Sequence, residues 1–269
     1  MPLCLKAIVL GIIQGLTEFL PISSTGHMII VDEYLKLPEG FRETFLVVVQ
    51  LGSILSVLVY FHSKLFPAEL FKGKSGLMDA WGLWWRVALG VVPAIVLGGL
   101  FGSWIKGKLY STATVATTLA LGGVILLFIE RLVKKAKYTE IRSMPPSLIL
   151  GIGLAQAFAM VPGVSRSAAT IIGALLLGVS REAAVEYSFY LAIPTMFAAS
   201  AYSLLKEGAA LSGQQWLAVG VGFVVAFLVA WAVIAFFISY IRRHDFRMFG
   251  WYRIALAAIL LIWLCFCHR

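Results

Sequence analysis

Gln14-Gly15-Leu16-Thr17-Glu18-Phe19-Leu20-Pro21-Ile22-Ser23-Ser24-Thr25-Gly26-His27 is the stretch on which the fold turns. Apolar runs flank it at 3–20 and 27–35. Neither reaches the ~20 residues that cross a bilayer as a helix. Pro21 removes a backbone donor and biases the residue before it away from helix. Two short apolar arms joined by a polar turn predict a re-entrant helical hairpin, entering and leaving on one side. Irregular backbone and ionisable groups persist at membrane depth only where protein buries them or they line a cavity. The same turn is therefore the first place to look for function.

A second string, Gln156-Ala157-Phe158-Ala159-Met160-Val161-Pro162-Gly163-Val164-Ser165-Arg166-Ser167, follows about 140 residues later and repeats the plan. An apolar arm carries a Gln, a proline ends it, and a hydroxyl cluster with a cation follows. Its arms, 147–161 and 168–179, predict a second re-entrant hairpin.

Outward from the hairpins the chain is apolar. Hydrophobic residues make up 61% and charged residues 13%, against about 25% charged in soluble domains. Mean hydropathy is +0.93. Six runs, near 44–61, 84–101, 112–130, 187–205, 214–240 and 251–267, are long enough to span a bilayer. The expected fold is thus all-α: a polytopic integral membrane protein of six transmembrane helices and two re-entrant hairpins. It forms one membrane domain over 1–269. The halves, approximately 1–140 and 141–269, each hold one hairpin and three spans. Three crossings turn the second half upside down, giving an inverted repeat with its site expected near the midplane. Arg42-Glu43 and Arg181-Glu182, each before the next span, echo the repeat.

The net charge of +9 does not point to nucleic acid, because the cations fall in short loops between apolar runs. With alternating spans, one side receives 14 Lys and Arg, Arg253 among them, and the other receives 7, leaving Arg166 inside the membrane. The richer side is expected to be cytoplasmic. The Glu18 hairpin then opens from outside and the Arg166 hairpin from inside. Tyr187 and most tryptophans fall at span ends, where interfacial anchors are expected. Three cysteines are too few for a disulfide framework or a zinc site.

The polar strings suggest phosphate chemistry. Gln14 and Glu18 project from one helix face. A carboxylate with an amide suits Mg²⁺, which keeps waters and commonly takes one or two carboxylates plus phosphate oxygens. Glu18 is accordingly a candidate metal ligand or general acid/base. Ser23, Ser24, Thr25 and His27 combine a helix N-cap with a serine near an imidazole, as an activated nucleophile requires. Ser165, Arg166 and Ser167 offer donors and a bidentate fork for phosphate oxygens. Thr170 lies in the first turn of the following helix, whose N–H groups also favour an anion. Gln50 is a candidate supporting residue. These residues alone fit a membrane phosphatase, a lipid-phosphate transporter or an anion-binding scaffold.

Both strings, in this order and in a chain of this size, resemble the two signatures of the bacterial undecaprenyl-diphosphate phosphatases of the bacitracin-resistance type. The likeness extends to Gln50-Leu51-Gly52-Ser53-Ile54-Leu55 and Glu186-Tyr187-Ser188-Phe189-Tyr190-Leu191-Ala192-Ile193-Pro194. The resemblance implies hydrolysis of a C55 isoprenyl diphosphate to the monophosphate carrier lipid and phosphate, for reuse in peptidoglycan synthesis. It implies dependence on Mg²⁺ or Ca²⁺, a polyprenyl diphosphate substrate drawn from membrane lipid, and a bacterial cytoplasmic membrane location with the site facing the periplasm. The family's first signature allows Glu or Gln at its leading position. With Gln14 here, Glu18 must carry more of the metal site. The implied catalytic set is Glu18, Ser24, His27 and Arg166. Either Ser24 attacks phosphorus with His27 as base, or His27 is itself the nucleophile or activates water.

Overall fold

The structure, a computed structural model, describes residues 1–38, 40–66, 74–133, 136–207 and 211–267. It is all-helical in the described residues apart from one isolated bridge between Tyr138 and Val179. The helices are α1 (Leu3–Thr17), α2 (Ser24–Leu35), α3 (Arg42–Tyr60), the single turn α4 (His62–Leu65), α5 (Lys74–Leu109), α6 (Thr112–Leu132), α7 (Pro146–Ala157), α8 (Arg166–Leu176), α9 (Arg181–Glu207), α10 (Gly213–Ile241) and α11 (Arg247–Cys267). Six of them hold stretches long and apolar enough to cross a membrane: Arg42–Tyr60, Trp81–Ile105, Thr112–Leu132, Arg181–Leu205, Gly213–Ile241 and Arg247–Phe266. The 15-residue α1 rises only about 22 Å at ~1.5 Å per residue, short of a ~30 Å hydrocarbon core. The arms α2, α7 and α8, of 12, 12 and 11 residues, are shorter still.

Leaving out α4, the helices run short, short, long, long, long, and then do so again from α7. The third helix of each series, α3 or α9, begins on an Arg-Glu pair. Pro21 and Pro162 lie four and five residues beyond the ends of α1 and α7, with a 3-10 turn, Phe158–Met160, in the second connection.

By internal contacts the chain divides into two compact units. One comprises Met1–Phe19, His27–Trp81 and Phe189–Phe237. Its core joins Ala7 and Leu10 of α1, Phe45, Val48 and Val49 of α3, and Ala218, Val219 and Ala226 of α10. Gly52 brings α3 against α10 so closely that a Cβ there would sit 2.3 Å from the Phe223 carbonyl oxygen. The other unit comprises Leu20–Gly26, Gly82–Ser188 and Ile238–Arg269. Within it α6 packs along α11, and α7 packs against α8. Each unit draws on both halves of the sequence.

Two expectations are corrected here. Tyr187 is no interfacial residue: it is fully buried, and its hydroxyl donates to the Arg86 carbonyl at 2.8 Å. Arg253 is no loop cation: it lies inside α11 and is 0% exposed. Both helices begin on polar residues ahead of their apolar runs, so both side chains lie a turn or more inside a helix. Arg86 likewise lies inside the Trp81–Ile105 stretch, so without Arg253 and Arg86 the count is 12 against 7. Of these cations, Lys72, Lys134, Lys135 and Arg269 lie outside the described residues.

Candidate active site

The first unit holds Gln14, Glu18 and His27. Gln14 is 0% and Glu18 4% exposed, and the Gln14 Nε2 donates to Glu18 Oε2 at 2.8 Å. Glu18 caps the C-terminus of α1, its N–H bonded to the Gln14 carbonyl. That end of a helix dipole favours cations and disfavours a carboxylate. Gln14 Oε1 is buried without a hydrogen-bond partner among the described residues. A buried amide oxygen beside a carboxylate is a hard-oxygen pair, and it fits Mg²⁺ or Ca²⁺. Among the described residues no three His, Cys, Asp or Glu gather into a larger metal cluster. His27 is half-buried on α2, one turn after Ser24. Gln50 is half-buried on α3.

The second unit holds the turns of both strings. They are built alike. Ser23, with φ of 72°, precedes α2, and its Oγ accepts the Gly26 N–H at 3.3 Å. Ser165, with φ of 70°, precedes α8, and its Oγ accepts the Ala168 N–H at 3.2 Å. Left-handed backbone is costly for a non-glycine residue and is characteristic of functional turns. Each serine acts as an N-cap that leaves the helix start turned toward the loop. Ser24 is buried and Thr25 half-buried in the first turn of α2.

The two turns meet. Ser167 Oγ donates to the Leu20 carbonyl at 2.9 Å and lies 3.0 Å from Ser165 Oγ. Arg166, half-buried at the start of α8, donates from Nη1 to the Ser188 carbonyl at 2.7 Å. The Thr170 hydroxyl is fully buried, 2.9 Å from the Arg166 carbonyl and 2.6 Å from Ser188 Oγ. It serves the joint between α8 and α9, and so holds Arg166 from behind.

Sequence reasoning missed Arg253. Its Nη1 donates to the carbonyls of Pro21 and Val164, each at 3.2 Å, and Nη2 to those of Thr118 and Gly163, at 3.0 and 3.1 Å. Nε reaches the Leu119 carbonyl at 3.3 Å. The one available signal was a cation seven residues into a helix that is otherwise apolar.

Gly163 makes the second turn possible. Its φ is +85°, and a Cβ there would lie 2.2 Å from Thr118 Oγ1 and 2.8 Å from the Val115 carbonyl oxygen. Thr118 cannot simply yield, because it donates to the Pro162 carbonyl at 2.7 Å. Gly163→Ala is therefore expected to destabilise by on the order of 3 kcal/mol, from left-handed strain plus overpacking. A thermal unfolding midpoint equal to that of the unsubstituted protein would contradict this.

Fold and site together define a polytopic α-helical membrane protein whose two proline-ended, serine-capped turns are joined to each other. The chain belongs to the bacitracin resistance protein BacA family, which it matches over residues 7–259. It is 49% identical over 258 residues to undecaprenyl-diphosphatase 1 of Clostridioides difficile strain 630, covering 95% of this chain and 94% of that one. It is 47% identical over 265 residues to the undecaprenyl-diphosphatase of Enterococcus faecalis, covering 96% of each. With that of Lactiplantibacillus plantarum the identity is 41% over 270 residues, covering 98% of each.

Proposed function

We propose that this protein is an integral membrane undecaprenyl-diphosphatase, hydrolysing undecaprenyl diphosphate to undecaprenyl phosphate and inorganic phosphate. The observation that carries the reading is the junction of the two turns. Ser24 and Arg166 each begin a helix whose preceding loop is fixed to the other by Ser167 and Arg253.

In this reading Arg166 grips the terminal phosphate and stabilises charge that develops on its oxygens, as phosphoryl transfer demands. Ser23, Thr25 and Ser165 supply hydroxyls and helix-start N–H groups to the diphosphate, Ser167 supplies its N–H while its hydroxyl holds the Leu20 carbonyl, and Thr170 supports them. Ser24 Oγ attacks the terminal phosphorus while its proton passes to His27, one turn along α2. The bond from phosphorus to the bridging oxygen breaks and undecaprenyl phosphate leaves, taking the proton from His27. Water, deprotonated by the neutral His27, then cleaves the phosphoserine; His27 returns that proton to the Ser24 oxygen and phosphate is released. Glu18 and the Gln14 amide oxygen would hold a divalent cation, Mg²⁺ or Ca²⁺. When bound, such an ion supplies neutralisation of the diphosphate charge. The 12-to-7 count of cations supports assigning the cation-poor side of the membrane to the periplasm, and in this reading the site opens there. The paired order of helix lengths and the twin serine caps support the inverted repeat.

Purified protein in detergent should release inorganic phosphate from undecaprenyl diphosphate, and EDTA should abolish the release. Detergent leaves no compartments to transport between, so release separates an enzyme from a carrier. Folded protein that releases no phosphate, yet moves lipid phosphate across vesicles, would overturn the proposal.

A further inference from the structure

We propose that Arg253 is a positioning residue for the phosphatase reaction, one planar guanidinium that fixes both turns in mutual register. The inference rests on the function proposed above. Arg253 is fully buried, and its five N–H donors are matched by five backbone carbonyls. No carboxylate pairs with it among the described residues. Burying a cation without a counter-ion costs several kcal/mol, and an apolar side chain of similar volume would pack without that cost. Packing between α6 and α11 therefore does not account for an arginine here.

What the guanidinium does is visible in its partners. Nη1 alone spans the two turns, bonding Pro21 of the first and Val164 of the second. Pro21 lies three residues before Ser24, and Val164 two before Arg166. Nε and Nη2 anchor the same group to Thr118 and Leu119 of α6. A rigid planar fork of this kind fixes relative position as a flexible ammonium cannot. The bonds also turn the carbonyls of Pro21, Gly163 and Val164 inward. In a trans peptide the N–H points opposite to the carbonyl, so the Ser165 N–H faces away from Arg253. Carbonyl oxygens that would repel a diphosphate are thereby withdrawn from it.

Space for the guanidinium comes from Gly122. A Cβ there would lie 2.4 Å from Nη2 and 2.8 Å from Cζ of Arg253. The three nearest atoms it would meet, Nη2, Cζ and Nε, all belong to the end of that side chain, so Gly122→Ala is expected to displace the guanidinium.

The test compares the unsubstituted protein with Arg253→Lys, Gly122→Ala and the double variant in detergent. It reads kcat and KM for phosphate release from undecaprenyl diphosphate, with the thermal unfolding midpoint as the control for folding. Each single variant is expected to fold and to lose about 100-fold in kcat, the scale of a misplacement near 1 Å, with KM changed far less. The double variant should be about as slow as the slower single one, because both remove the same constraint. A residue that only holds the fold together would leave kcat per folded molecule unchanged. Folded Arg253→Lys with kcat within about twofold of the unsubstituted protein, or losses that multiply in the double variant, would overturn the inference. Failure of both single variants to fold would overturn it too, since Arg253 would then hold the fold rather than the turns. Absence of phosphate release from the unsubstituted protein would instead refute the proposed function.

Discussion

Arg166→Ala is expected to lower phosphate release by about 10³-fold or more at saturating substrate, while the protein stays folded. A transition-state arginine in phosphoryl transfer is worth ~10³–10⁵ in kcat. The structural cost is smaller. Among the contacts removed is a charge-assisted hydrogen bond from Nη1 to the Ser188 carbonyl, worth about 1.5–3 kcal/mol. The α8 cap stays, because Ser165 supplies it through its own hydroxyl. Thr170 still ties α8 to Ser188. Arg166→Lys should recover little, since an ammonium keeps the charge but loses the fork proposed to meet two phosphate oxygens at once. The measurement is kcat beside the thermal unfolding midpoint. A folded Arg166→Ala protein with ordinary turnover would remove Arg166 from the chemistry.

Hydropathy located the six spans well because crossing a bilayer requires a long uninterrupted apolar run. It placed the starts of two helices several residues late. The run expected from 187 belongs to a helix that starts at Arg181, and the run from 251 to one that starts at Arg247. Helices begin with polar residues that satisfy free N–H groups, and hydropathy excludes those residues. Tyr187 and Arg253 fell into this gap, so one read as an interfacial anchor and the other as a loop charge. The proline-and-serine turns were legible because Pro, Gly and Ser carry local backbone signals. A cap from the first hydroxyl cluster follows from those signals, and the structure assigns it to Ser23; Ser165 as the cap of α8 is seen only in the structure. The left-handed φ of the two serines does not follow from them. The junction of the turns was hidden because Arg253 touches only main-chain carbonyls, and these have no signature in a sequence.

Ser24→Ala carries the largest expected effect and separates the two nucleophiles. With Ser24 as nucleophile, loss of its hydroxyl should lower turnover by on the order of 10⁴–10⁶-fold, the range seen when a nucleophile of a cooperative catalytic set is removed. Folding should be little changed, because Ser23, not Ser24, accepts the capping N–H of Gly26. His27→Ala would be nearly as severe, since either route needs the imidazole. Activity alone therefore cannot assign His27. The distinguishing readout is the phosphorylated residue. Acid quenching during turnover should leave acid-stable phosphate on Ser24, and none in Ser24→Ala. Acid-labile, base-stable phosphate on His27 in the Ser24→Ala protein, with turnover near that of the unsubstituted chain, would make the imidazole the nucleophile. Ser24 would then be left as a first-turn hydroxyl donor to the phosphate. Either result leaves Arg166 its role, because the charge on the terminal phosphate oxygens must be stabilised whichever atom attacks.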